Sequence, residues 1–292
     1  MTEIHGPTSH TYYSQRLRLH YVDWGNDDGK RLLLVHGGMD HCRNWDWVAQ
    51  RLRDQYHIIA PDLRGHGDSQ WMLGGSYGMP EFVYDVAQLL HQTKHTPTHI
   101  VAHSLGGAIA LRYAGLFPET VEKLVVIEGL GLSPEKEAEL AARSTDERML
   151  EWVETCRKIS SRSPRRYPSL DDAYKRMQEE NPHLRPDQAR HLTIHGANQN
   201  EDGTYSWKFD NYVRAWPPFG MPEEAVHKLW SNITCPTLLI RGTESWASDP
   251  NKDGRADHFQ NATVANIENA GHWVHHDQLD IFMDLVNNFF EG

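Results

Sequence analysis

Short apolar runs recur along the chain, and this recurrence constrains the fold more than any other feature. A continuous apolar run is typical of a strand that is buried on both faces of a parallel sheet. The segments between the runs, at 44–54 and 81–93, place apolar residues three and four positions apart, which is typical of amphipathic helices. The alternation predicts an α/β fold with a doubly wound, mostly parallel sheet. The runs are RLLLVHGG (31–38), YHIIAPD (56–62), HIVAHS (99–104), KLVVIEG (123–129) and PTLLIRG (236–242).

The alternation stops after Gly131. Between residues 132 and 231 the chain is polar, has helical patterns and contains several prolines, and strand character returns at 236–242. A chain of 292 residues is long enough for one large core with an insertion. We therefore predict a core formed by residues 1–131 and 232–292, with a mainly helical insert over 132–231 between two core strands.

Composition limits the partners of this chain. The 40 acidic and 29 basic residues give a net charge of -11, which disfavours binding to nucleic acid or to an anionic membrane. The sequence has no long apolar segment that would predict a leader peptide or a membrane span. Three cysteines, Cys42, Cys156 and Cys235, are too few and too far apart to predict a disulfide framework or a zinc site. We expect a cytoplasmic monomer or homodimer that acts on a small molecule.

Ser104 lies in HIVAHSLGGAIALRYAG (99–115), between a strand and an alanine-rich helix. Ala102 and Gly106 flank it at two residues on each side, and a sharp strand-to-helix turn needs small residues there. Such a turn would expose the hydroxyl and direct the amide of Leu105 toward the same point, where a helix N-terminus favours a developing anion. Serine is also a preferred helix cap, so this pattern fits either a nucleophile or a structural cap.

Two other segments favour the nucleophile. In HGG (36–38), a glycine turn after a strand could direct the Gly38 amide at the same anion, although it could also simply end the strand. In NAGHW, His272 follows a strand pattern near the end of the chain. A serine hydroxyl needs a base to accept its proton, and imidazole has a suitable pKa. We therefore expect His272 to be that base, oriented by a carboxylate.

Four segments together resemble the α/β-hydrolase superfamily with a helical cap domain. They appear in the order of that family and extend over the core: LLLVHGGMDHCRNW, IIAPDLRGHGDS, VAHSLGGAIALRYAGLFPE and NAGHWVHHDQ. The chain is most similar to its kraken-like or serine-hydrolase-like branch, with Ala102 in place of the usual glycine. The resemblance implies cleavage of a small-molecule carboxylic ester by Ser104 through an acyl-enzyme, with no metal or organic cofactor.

The acidic member of the site is less obvious. The family usually places an aspartate three residues after the glycine that ends the penultimate strand, but that position is Ser245 here. Part of the superfamily uses the end of the preceding core strand instead, which corresponds to Glu128. We predict Glu128 as the acid, with Asp249 and Glu244 as alternatives. Glu128 could otherwise be a structural residue that closes its strand.

Aromatic residues near the end of the insert could line a pocket for the acyl group or form the core of the insert itself. Of these, we predict that Trp207, Tyr212 and Trp216 bind substrate. The basic segment 157–166 could hold an anionic carrier, but a solvated helix face explains it more simply. The sequence pair His275–His276 lacks a metal-binding motif and is expected to begin the last helix.

Several reactions remain compatible with these residues. In the resembling family, the same groups serve lactonases, thioesterases, acyltransferases and carbon–carbon bond hydrolases. Epoxide hydrolases and haloalkane dehalogenases of the family use aspartate where this chain has Ser104. A receptor that binds a ligand on a hydrolase scaffold without turnover is the alternative outside enzymes.

Overall fold

The computed structural model describes residues 6–292 and contains one eight-stranded sheet. Its strand order is β1-β2-β4-β3-β5-β6-β9-β10. The strands β1 and β2 pair antiparallel to their neighbours, and the pairs from β4 to β10 are parallel. The strands are β1 Thr8–Ser14, β2 Leu17–Asp23, β3 Lys30–Val35, β4 Tyr56–Pro61, β5 Thr98–His103, β6 Val121–Ile127, β9 Thr237–Gly242 and β10 Ala262–Ile267, while β7 Ala197–Gln199 and β8 Tyr205–Trp207 form a separate hairpin.

Ten α-helices accompany the strands in the described residues. They are α1 Asp46–Leu52, α2 Met79–Thr93, α3 Leu105–Leu116, α4 Pro134–Ala141, α5 Thr145–Ser160, α6 Leu170–Glu180, α7 Pro186–Gly196, α8 Glu223–Ser231, α9 Val274–Asp277 and α10 Leu279–Glu291. Short 3-10 helices lie at Cys42–Trp45, Pro118–Thr120, Asn211–Arg214 and Arg255–His258.

The sheet is buried on both faces, as the continuous apolar runs predict. Alternate residues of β5, such as Ile100 and Val101, belong to different hydrophobic clusters on the two sides of the sheet. The cluster with Ile100 includes buried residues of α2, α3 and α8, and the cluster with Val101 includes those of α1 and α10. Helices therefore cover both faces, which confirms the doubly wound α/β fold.

The chain between β6 and β9 contains α4 to α8 and the β7–β8 hairpin. We call residues 132–231 the inserted segment. The sequence patterns did not indicate its hairpin, nor strand β1 at the antiparallel edge. Arg255 of the core is buried, donates to the carbonyl of Leu132 at 3.0 Å and forms an ion pair with Asp253 at 2.8 Å. This guanidinium ties the start of the inserted segment to the core.

The loops that follow β3, β5, β6, β9 and β10 leave the carboxyl edge of the parallel sheet. In open α/β sheets this edge is where ligands bind, because strand ends and helix N-termini converge there. Within residues 6–292, no helix combines the length and the apolar character needed to cross a membrane.

Candidate active site

Ser104 lies in a strained turn between β5 and α3. Its backbone has φ 51° and ψ -117°, and its N–H donates to the carbonyl of Ile127 at 2.8 Å. A non-glycine residue with this conformation costs free energy, and such strain concentrates at functional sites. The Ser104 side chain makes no capping hydrogen bond with α3. Ser104 thus occupies the N-cap position of α3, but its hydroxyl is not held by the helix.

The small residues around Ser104 permit this turn. A Cβ atom added to Gly106 would lie 2.4 Å from the carbonyl oxygen of His36 and 2.5 Å from that of Val35. These oxygens belong to the backbone of the last residue of β3 and of the residue after it, so they cannot easily move away. Ala102 is fully buried beneath the turn. A larger side chain at either position would separate α3 from the sheet.

Glu128 and His272 are in direct polar contact. The Glu128 Oε2 atom lies 2.6 Å from the His272 Nδ1 atom, and Glu128 Oε1 accepts a hydrogen bond from the Gly242 N–H at 2.9 Å. The carboxylate is 0% exposed and the imidazole 28% exposed. Because an ionised carboxylate only accepts, Nδ1 carries the hydrogen and Nε2 is left to accept a proton. Glu128 also has a positive φ, 50°, as Ser104 does.

The other candidate acids lie elsewhere. Asp249 accepts a hydrogen bond from the side-chain amide of Asn266 at 3.1 Å, and Glu244 lies 3.6 Å from His183. Neither carboxylate is bonded to His272 in the described part of the chain. The geometry thus favours Glu128 among the three.

Ser245 has a role that the sequence did not suggest. Its hydroxyl donates to Glu128 Oε2, the oxygen that also contacts His272, and accepts the N–H of Ala247 at 3.2 Å. Ser245 occupies the position where the α/β-hydrolase superfamily usually has an aspartate. This position was the sequence signal that could have indicated a role for Ser245. The serine thus hydrogen-bonds Glu128, the carboxylate that we predict to be the acid.

His103 contacts the main chain of His272. Its Nε2 atom lies 2.9 Å from the carbonyl oxygen of His272, so this nitrogen donates the bond. Burial, together with the nearby His272, lowers the pKa of His103 well below its ordinary value. A neutral His103 therefore fixes the main chain of His272. On the preceding residue, the Gly271 N–H donates to Asp277 at 2.8 Å.

A cavity of about 910 Å³ lies above these residues. From the core, Ser104, His272, Leu105 and Gly38 line it. The described residues contain no hydrogen bond between the Ser104 hydroxyl and the His272 imidazole, and ligand-free sites often have such bonds open. The amide N–H groups of Leu105 and Gly38 have no acceptor elsewhere in residues 6–292, so both are available to a ligand.

The inserted segment forms the opposite wall of the cavity. Trp207 and Trp216 line it as predicted, whereas Tyr212 is 37% exposed and does not. Phe209, which belongs to the same aromatic group of the sequence, also lines it, and so does Tyr167, which the sequence did not indicate. The Trp207 indole donates to the Tyr167 hydroxyl at 3.1 Å, which explains why a residue 40 positions away belongs to the same wall.

The histidine pair 275–276 is structural, but its expected location was wrong. Both residues lie in α9, and a separate helix, α10, is the last of the chain. Both rings are buried, and their Nε2 atoms lie 2.6 and 2.9 Å from the side-chain oxygen of Asn44. The two imidazoles therefore connect α9 to the loop after β3.

Two groups in the described residues have the spacing of metal ligands, namely His20, Cys42 and Asp62, and Asp46, His191 and His195. Asp62 accepts the N–H of Cys42 at 2.7 Å and bonds His20 at 2.7 Å. Asp46 forms an ion pair with Arg43 at 2.6 Å. These contacts explain both groups without an ion.

A family model described as alpha/beta hydrolase fold matches residues 30–279. Esterase Rv0045c of Mycobacterium tuberculosis is 25% identical over 99% of this chain and 91% of its own. A serine hydrolase-like protein of Danio rerio is 23% identical over 92% of this chain and 83% of its own. The solved structure of E-2-(acetamidomethylene)succinate hydrolase has a TM-score of 0.81 at 21% identity and covers 98% of this chain and 100% of its own.

The fold and these similarities support a hydrolase. The chain belongs to the α/β hydrolase fold family, because the family model matches most of its length.

Proposed function

We propose that this protein is a serine hydrolase that cleaves a carboxylic ester of a small molecule through an acyl-enzyme. The observation that carries the proposal is the 2.6 Å contact between Glu128 and His272, beside the cavity that the strained Ser104 turn also lines. A base oriented by a buried carboxylate next to a serine is the arrangement that activates a hydroxyl.

In the first half of the reaction, the Ser104 Oγ atom attacks the ester carbonyl carbon and His272 Nε2 takes the hydroxyl proton. The carbonyl double bond opens and its oxygen becomes negative. When the tetrahedral species collapses, the bond to the alcohol oxygen breaks and His272 gives its proton to that oxygen. The alcohol leaves, and the acyl group remains on Ser104.

In the second half, water attacks the acyl carbonyl and gives a proton to His272 Nε2. Collapse breaks the bond to Ser104 Oγ, which recovers the proton from His272. The carboxylic acid leaves and the enzyme is restored. In both halves, Glu128 accepts the Nδ1 hydrogen bond and stabilises the imidazolium.

The amides of Leu105 and Gly38 stabilise the negative oxygen. Both belong to turns at the carboxyl edge of the sheet and line the cavity. Removal of one such donor costs about 3 to 4 kcal/mol of transition-state stabilisation in a comparable hydrolase. Leu105 also adds the dipole of the α3 N-terminus.

The inserted segment selects the substrate. Trp207 and Trp216 supply apolar surface opposite Ser104, which favours an acyl or alcohol group with apolar parts. The segment thus acts as a cap over the core, and exchange of its lining residues changes specificity more than chemistry.

The test is hydrolysis of p-nitrophenyl esters of increasing acyl length by the purified protein, with a lactone and a thioester included in the panel. We expect ester turnover that Ser104→Ala reduces by at least about 10⁴-fold and that the exposed control Ser160→Ala leaves unchanged. Preferential turnover of the lactone or thioester would change the substrate class. Absence of all turnover, combined with tight ligand binding, would favour a receptor.

A further inference from the structure

Three arginines of the inserted segment line the cavity, and two of them, Arg165 and Arg214, lie against aromatic rings. The guanidinium of Arg165 lies 5.1 Å from the ring centre of Tyr167, and that of Arg214 lies 5.5 Å from the ring centre of Phe209. All four residues line the cavity. The aromatic rings support the two cations by cation–π contact, so their positions are less free than those of ordinary surface arginines.

Neither of these cations is neutralised by a carboxylate. Within residues 6–292, no ion pair within 4.0 Å involves Arg165 or Arg214, whereas Arg166, next to Arg165, pairs with Asp202 at 2.6 Å. Most other arginines of the inserted segment have acidic partners, namely Arg143, Arg157, Arg166, Arg176, Arg185 and Arg190.

The carboxylates that line the cavity belong to other elements. Glu180 of α6 pairs with Arg176, and Glu244, after β9, lies 3.6 Å from His183. Asp277 of α9 accepts the N–H of Gly271. Each of these acids thus has a partner of its own, while the charged residues that line the aromatic wall at 164–167 and 207–216 are both arginines. The charge of the wall is complementary to an anion.

We propose that Arg165 and Arg214 form a subsite for a carboxylate on the part of the substrate that is remote from the ester. This inference rests on the proposed esterase function and narrows its substrate class to esters with a free carboxylate. A guanidinium donates two parallel hydrogen bonds to a carboxylate, and the apolar rings beside it exclude part of the water that would weaken them. The same wall holds the hydrocarbon between the two ends of the substrate.

The test compares two esters of the same acyl length, p-nitrophenyl hexanoate and mono-p-nitrophenyl adipate, after subtraction of spontaneous hydrolysis. We expect a kcat/KM for the adipate ester that is about tenfold higher, mainly through KM, because a charge-assisted hydrogen bond contributes that much binding. The preference should fall near 1 M salt, where the screening length is about 3 Å.

Arg165→Gln and Arg214→Gln should each lower the ratio of kcat/KM between the adipate and hexanoate esters from about tenfold to about twofold or less. The matched control is Arg162→Gln, an exposed arginine of the same basic segment that does not line the cavity. A carboxylate placed on the alcohol side, in 4-carboxyphenyl hexanoate, shows from which side of the ester the subsite is reached. A preference for either charged ester that the two variants abolish supports the subsite.

Equal turnover of charged and uncharged esters, unaffected by both variants, would overturn the subsite and leave the esterase proposal intact. Failure of a fluorophosphonate to label Ser104, with no turnover of any ester, would instead overturn the esterase proposal. In that case calorimetry with adipate still tests the subsite, because binding requires no catalysis. Weaker adipate binding by Arg165→Gln and Arg214→Gln than by the wild type would support it. Adipate binding by Arg165→Gln and Arg214→Gln that equals binding by Arg162→Gln would overturn the subsite.

Discussion

The carboxyl edge of the sheet and the wall of the inserted segment border the same cavity but are stabilised differently. At the edge, both oxygens of the buried Glu128 are hydrogen-bonded and the main chain of His272 is held by His103. On the wall, Trp216 is 47% exposed and Arg165 has no acidic partner in the described residues. The difference teaches that the groups we propose for bond cleavage are held by buried hydrogen bonds, whereas those we propose to select substrate are more exposed side chains of the inserted segment.

The largest effect should come from the carboxylate at the edge. Glu128→Gln keeps the side-chain volume but lacks the charge that stabilises imidazolium and can favour the wrong tautomer of His272. We expect kcat to fall by about 10³- to 10⁴-fold, as when the corresponding acid is amidated in a comparable hydrolase. Ester turnover measures the loss, and circular dichroism verifies the fold.

The matched control for this variant is Asp249→Asn, which should retain full activity because Asp249 bonds Asn266 and not His272. Near-normal turnover of Glu128→Gln together with an inactive Asp249→Asn would show that Asp249, and not Glu128, is the acid. The buried contacts of Glu128 would then be structural only.

A smaller effect should follow from Ser245→Ala. The hydroxyl of Ser245 donates to Glu128. Ser245 also lines the cavity, but we expect its main effect to be on the orientation of Glu128, so its removal should lower kcat about tenfold and leave KM nearly unchanged. Ser248→Ala is the control, because Ser248 bonds Arg255 and Asp253. Pre-steady-state kinetics and a pH–rate profile measure the effect. A change in KM alone would show that Ser245 acts on substrate binding and not on the acid.

The smallest effect should come from the wall. Trp216→Ala removes apolar surface from the cavity, so we expect KM for long-chain esters to rise about fivefold with little change for acetate esters. Tyr212→Ala is the control, since Tyr212 does not line the cavity. A series of acyl lengths measures both variants. Equal KM changes for the two would mean that the wall has no defined acyl surface.

The elements of the core could be predicted because their signals are local. A strand buried on both faces has to be apolar throughout, and a sharp turn at Ser104 has to be flanked by small residues, so both are visible in the sequence. The prediction of Glu128 as the acid depends on the family resemblance, since Ser245 occupies the position where that family usually has an aspartate.

The features that sequence reasoning missed depend on packing between distant segments. Tyr167 joins the cavity wall because it bonds Trp207, and Tyr212 turns away from it within a short 3-10 helix. Neither outcome is contained in a local hydrophobic pattern. The bond from Ser245 to Glu128 likewise joins residues from two strand ends that are far apart in the sequence.

The most direct test of this account is to trap the covalent intermediate. The protein is mixed with p-nitrophenyl butyrate, quenched in acid within milliseconds, digested and analysed by mass spectrometry. The account predicts a butyryl group on the peptide with Ser104, and no such group in Ser104→Ala. Ester turnover with the acyl group on another residue, or undiminished turnover by Ser104→Ala, would contradict it.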